Sequence, residues 1–157
     1  MSLNKRNLPA VRFGVEDSWL ELDIAGYQFP EITTGWDANW LMIEGRAAIH
    51  GSEWAFVDPC LLAQEVLQLA KWLESVGNPG QLSLACFFTE PNMDFQLNTP
   101  GSIRINFSHE CLPPWAAPRE WGNYWIDLPI TTGLLEAAHN LRRQLALYPQ
   151  RWFNKGH

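Results

Sequence analysis

Catalysis in this chain would have to come from its carboxylates, four histidines or three cysteines. Paired carboxylates are the most serious enzymatic option. Asp37, Glu44, Glu90 and Asp94 lie near aromatic residues, and a glycosidase needs two acids flanking a sugar. No base, nucleophile or metal motif stands beside them. His50, His109, His139 and His157 are scattered, with no Cys-x-x-Cys pair and no His-Glu-x-x-His run. Glu136 and His139 have the i, i+3 spacing of half a di-iron site, and the second half is missing. Cys60 reads as the start of a helix, where the dipole lowers a thiol pKa, but a packed structural thiol is the better account. There is no Gly-x-Ser-x-Gly elbow and no phosphate-cradling glycine loop. The chain reads as no enzyme, with no metal and no cofactor.

Recognition is what remains. The run GYQFPEITTGWDANWLMIEG, residues 26–45, carries Tyr27, Phe29, Trp36 and Trp40 among Glu31, Asp37 and Glu44, without a Lys or Arg. Large aromatics dominate protein-interface hot spots. Trp36, Trp40, Trp115 and Trp121 fall at strand ends or in loops, where each can anchor a partner or fold back onto the core edge. The formal charge of −6 argues against nucleic acid and anionic membranes and permits a basic protein partner. The candidate contacts are Glu31, Asp37, Glu44, Glu90 and Asp94 for charge, with Trp36, Trp40 and Trp115 as anchors. Tryptophan platforms for a small ligand or carbohydrate are the alternative.

Hydrophobic period sets the elements that hold these residues. Leu20, Leu22 and Ile24 alternate with Glu21 and Asp23. Leu41, Ile43, Ala47 and Ile49 alternate with Met42, Glu44, Arg46 and His50. The same two-residue period groups Leu82, Leu84, Cys86 and Phe88; Met93, Phe95 and Leu97; Ile103, Ile105 and Phe107; and Tyr124, Ile126, Leu128 and Ile130. VRFGVE and EWAFVD add two strands. Strands with one polar face belong to a mostly antiparallel sheet. Glu21, Asp23, Glu44, Asp94 and Asp127 should share that polar face, with Arg46 and Arg104.

Two segments take helical period. One stripe is Leu62, Val66, Leu69, Leu73 and Val76, with Asp58 as cap, Pro59 in the first turn and Gly77 after the end. The other is Leu134, Ala138, Leu141, Leu145 and Tyr148, capped by Thr131 or Thr132 and stopped by Pro149. The predicted fold is α+β: a curved, mostly antiparallel sheet with two amphipathic helices packed on it, residues 1–157 forming one domain. The chain is 46% hydrophobic and long enough for a core without disulfides, and three sparse cysteines form no disulfide framework. No apolar run reaches signal-peptide or membrane-span length, so the reading is a cytoplasmic protein.

Five segments in order resemble one family. DSWLELDIAGYQFPE, WDANWLMIEG, EWAFVDPCLLAQEVLQLAKWLE, FTEPNMDFQL and HECLPPW are similar to the WapI-like immunity proteins of bacteria, from about Asp17 to Trp115. The resemblance implies a non-enzymatic cytoplasmic protein that binds and blocks the toxin domain of a large surface protein, usually a nuclease. It supplies no toxin-contact residues.

Overall fold

The computed structural model describes residues 8–76, 78, 80–81, 83–98, 101–116 and 123–151. Leu82, Gly77, Trp121 and His157 lie outside them.

Eight strands and two α-helices are present among the described residues. β1 (Val11–Val15), β2 (Ser18–Tyr27), β3 (Trp40–Ile49) and β4 (Ser52–Leu62) form one antiparallel sheet in that order. After α1 (Ala63–Ser75), β5 (Ala85–Cys86), β6 (Met93–Asn98), β7 (Ser102–Phe107) and β8 (Tyr124–Pro129) form a second. α2 (Gly133–Leu145) follows. The α+β, antiparallel reading holds, with the strands divided between two four-stranded sheets.

The alternation explains how the sheets meet. Leu20, Leu22 and Ile24 of β2 and Leu41 and Ile43 of β3 are buried, as are Phe95 of β6 and Ile103 and Ile105 of β7. The inner faces touch through Phe13 and Phe95, whose ring centroids are 6.4 Å apart, and Trp54 and Phe107 at 5.1 Å. α1 joins this core through Val66, Leu69 and Leu73, with Trp72 against Phe95. α2 adds Leu134, Ala138 and Leu141.

Turn chemistry agrees locally. His50 and Gly51, at φ 50° and 86°, make the two-residue link between Ile49 and Ser52, where both central residues need positive φ. Gly45 is required for a different reason. It pairs with Phe56, and a Cβ there would lie 2.1 Å from the Phe56 ring.

Two local expectations fail. Asp58 and Pro59 do not open α1. β4 continues to Leu62, pairing Leu61 with Leu41 and Leu62 with Trp40. The register shift between Leu41 and Ile43 accommodates Pro59, which lacks the N–H a regular ladder needs. α1 starts at Ala63, and the Glu65 carboxylate accepts the Leu62 N–H at 3.0 Å. Leu84 is not in the core but 71% exposed, although its carbonyl accepts the Leu97 N–H at 2.8 Å just beyond the paired Ala85 and Cys86. Just upstream, Trp72 Nε1 donates to the Ser83 carbonyl at 3.0 Å and draws the chain toward α1.

Because β1 is half the length of β2, it covers only Ser18–Leu22. The open end of β2 is met by α2. Gln144 accepts the Ile24 N–H at 2.7 Å, and Asn140, one turn earlier, donates to the Ala10 carbonyl at 3.3 Å. Both side chains are buried, so these contacts satisfy groups that water does not reach.

Candidate functional site

The loop between β2 and β3 ends in a short 3-10 turn, Trp36–Asn39. Its brace is Asn39, which is fully buried. Asn39 Oδ1 accepts the Arg151 N–H at 2.7 Å, and Nδ2 donates to the Arg151 carbonyl at 3.0 Å and the Gly35 carbonyl at 3.2 Å. The Arg151 guanidinium donates to the Phe29 carbonyl at 3.3 Å and to that of Ile32, and lies 3.4 Å over the Tyr27 ring. Tyr27 in turn donates to the Pro149 carbonyl at 2.7 Å and packs edge-on against Tyr148. Loop carbonyls that would otherwise need water are held by the C-terminal segment.

On this base the loop presents Glu31, Ile32, Trp36 and Asp37 outward, with Trp36 half exposed. Asp37 Oδ1 accepts the Trp40 Nε1 proton at 3.2 Å, joining the turn to the first residue of β3. Trp40, Met42, Glu44 and Arg46 then alternate with buried Leu41, Ile43 and Gly45, which puts the four on the outward face. The structure therefore joins Asp37 to Trp40 and sets Trp40 and Glu44 on one face of β3, with Glu31 and Trp36 exposed on the loop that leads into that strand.

Beside Glu44 the sheet forms a groove of about 360 Å³, lined by Glu21, Asp23, Glu44, Arg46, Ala55 and Val57 among others. Asp23, Glu44 and Val57 are directly opposite one another across β2, β3 and β4, and Glu21, Arg46 and Ala55 form the next row. Arg12 pairs with Glu21 at 3.5 Å and Arg46 with Glu53 at 3.0 Å, and both guanidiniums flank Trp19. Asp23 is held by Gln144 Nε2 at 2.7 Å.

The other predicted contacts lie elsewhere. Asp94 sits on the outward face of the second sheet, accepting from Asn106 at 2.8 Å and Gln96 at 3.1 Å. Asp127 is there too, in a two-point pair with Arg104 at 2.9 and 3.1 Å. The acids expected on one polar face thus divide between two, because their strands belong to different sheets. Trp115 is 44% exposed and meets Trp54 and Tyr124 edge-on.

Glu90 belongs to a corner near Asp58 and Glu110. Buried Asn92 donates there to Asp58 at 3.3 Å and Glu110 at 3.0 Å. Burial, then Glu110 and Glu90, push the Asp58 carboxyl above its ordinary value. Glu110 is lowered by a backbone hydrogen bond and by Asn92.

Cys60 lies within β4, not at a helix start. Its hydrogen bond with Cys111, together with burial, drives the thiol pKa up, which is opposite to an activated nucleophile. Among the described residues no group of three His, Cys, Asp or Glu is arranged to hold a metal, and no helix is long and apolar enough to cross a membrane.

Sequence reasoning passed over Asn39, Arg151, Gln144 and Val57. For Val57 a signal existed: alternation in EWAFVD sets Ala55 and Val57 opposite Trp54 and Phe56. The other three act through contacts more than a hundred residues away in sequence, which no local pattern encodes.

No curated protein and no solved structure matches the chain. The model of the Immunity protein WapI-like family matches residues 12–149, nearly the whole described fold. A match over that span gives one assignment: the chain belongs to the WapI-like family of immunity proteins.

Proposed function

We propose that this protein acts in the cytoplasm, not as an enzyme but by binding a cognate toxin domain and blocking it. The contact surface is the strip that runs from Glu31, Trp36 and Asp37 through Trp40 to Glu44. The observation that carries this reading is Trp36, a half-exposed tryptophan between acidic residues on a loop whose backbone is fixed from beneath. Such a loop loses little conformational freedom when a partner arrives, so more of the contact energy appears as affinity. Its acids suit a basic partner, and a nuclease with a basic nucleic-acid cleft has that character. Glu90, Asp94 and Trp115 lie off the strip, so a toxin touching them as well would have to wrap around the chain.

The test is co-expression with the C-terminal domain of the large surface protein encoded beside this chain. The wild-type chain should restore growth and co-purify with that domain. Growth arrest despite soluble expression of both would overturn the immunity reading.

A further inference from the structure

All three cysteines are free and buried, and two of them meet. Cys86, on β5, is engaged by Gln68 of α1, whose Nε2 lies 3.6 Å from its sulfur. Cys60 and Cys111 share a hydrogen bond with each other, and both are shut off from solvent. The fold builds this meeting from two sides. Between the pairs Ile43–Asp58 and Leu41–Leu61, β4 sets two residues, Pro59 and Cys60, opposite Met42 alone. A bulge of this kind re-aims a side chain, and here Cys60, Leu61 and Leu62 are all buried in succession. Cys111 ends the 3-10 turn His109–Cys111, which is tied to β4 at two points. Trp54 Nε1 donates to the Cys111 carbonyl at 3.0 Å, and Asn92 joins Glu110 to Asp58.

We propose that Cys60 and Cys111 form a redox latch, a dithiol that a small-molecule disulfide oxidises to a disulfide bond between β4 and the 3-10 turn. One protein thiolate attacks the small disulfide and releases its first thiol. The second protein sulfur then displaces the other thiol. One S–S bond breaks and one forms; the two protein protons leave on the two small thiols, and the small disulfide takes up the two electrons. Burial favours the product and slows its formation. A disulfide has no charge to desolvate, whereas the attacking thiolate is disfavoured in this place. The hydrogen bond with Cys111, then burial, hold the Cys60 pKa high, so the pair is no ready nucleophile. Closure therefore waits for the turn to open. Once made, the bond constrains the unfolded chain, so oxidation strengthens this fold instead of damaging it. The inference is independent of the immunity reading.

The test is incubation of the full chain with oxidised glutathione, followed by acid quenching and alkylation of the remaining thiols in denaturant. Free thiols should fall from three to one, and peptide mapping without reduction should join Cys60 to Cys111 and leave Cys86 alkylated. The melting temperature should rise by roughly 5–15 °C and return on treatment with dithiothreitol. Closure should speed up in urea below the unfolding midpoint, because the turn must open first. Cys86→Ser keeps the pair and should close in the same way, whereas Cys60→Ser and Cys111→Ser should show no rise. A cross-link through Cys86, glutathione adducts without closure, three unreacted thiols even in urea, or a lower melting temperature on closure would each overturn the latch. Because Cys86→Ser leaves both sulfurs in place, its failure to close counts against the pair whatever the serine variants do to folding.

Discussion

Asn39 and Arg151 hold each other through both halves of one amide: Oδ1 takes the Arg151 N–H at 2.7 Å and Nδ2 gives to its carbonyl at 3.0 Å. The side chain mimics a strand partner for a single residue and ties the β2–β3 loop to the C-terminal segment. Asn39→Ala leaves three partly buried backbone groups without this partner, each worth about 1–3 kcal/mol in the worst case. We expect a stability loss of about 2 kcal/mol, measured by denaturant unfolding, with faster amide exchange across residues 29–39. Unchanged exchange there would remove Asn39 as the brace. Asn39→Asp sets a carboxylate oxygen against the two carbonyls that Nδ2 serves, in a buried place, so its loss at pH 7 should be at least as large as that of Asn39→Ala and should ease in acid.

Trp36→Ala tests the strip itself. Trp36 is half exposed, so the free protein should lose no more than about 0.5 kcal/mol. Toxin affinity, measured by calorimetry with the purified complex, should fall at least about tenfold, as for a tryptophan anchor. Full affinity in a well-folded Trp36→Ala chain would place the contact elsewhere.

Gly45→Ala should destabilise by about 1–3 kcal/mol, because the new methyl group enters space held by the Phe56 ring. Phe56→Leu in the same chain should return part of that loss. Thermal melting of the single and double variants checks it: additive losses would mean that Phe56 is not the obstacle.

Two acids should give pH effects of opposite sign. Glu74 accepts two hydrogen bonds from Arg142, at 2.7 and 2.8 Å, which tie α1 to α2 and lower its pKa from the ordinary 4.5. A depressed folded pKa means stability that is present above that ordinary value and lost as pH falls through the folded one. Glu74→Gln should therefore cost no more than about 1 kcal/mol at pH 7, since the pair is partly exposed. The gap from wild type should close in acid. Asp58, whose pKa is raised from 3.8, carries an ionised form that folding disfavours. Its cost to stability appears as pH rises through the ordinary value and is complete above the folded one. Asp58→Asn should hold or raise stability at pH 7, with the difference fading below pH 4. Urea midpoints across pH 3–8 decide both, and parallel profiles for wild type and either variant would sink the corresponding claim.

The sequence by itself determined which way most side chains face. A two-residue period states only inside or outside, and it placed Leu20, Phe95 and Ile105 in the core and Glu44 and Asp94 outward. The helical stripes did the same for α1 and α2, and the five ordered segments carried the family. Tertiary structure decided which outward faces are neighbours. Glu44 and Asp94 looked alike in sequence but stand on different sheets, because strand pairing, which is long-range, assigns each strand its neighbours. The start of α1 was decided in the same way: Asp58 and Pro59 satisfy a local helix signal, but pairing of Leu61 and Leu62 with β3 keeps that stretch extended. The rigid loop under Trp36 depends on Asn39 meeting Arg151, and only the folded chain brings residues that far apart in sequence within hydrogen-bond distance.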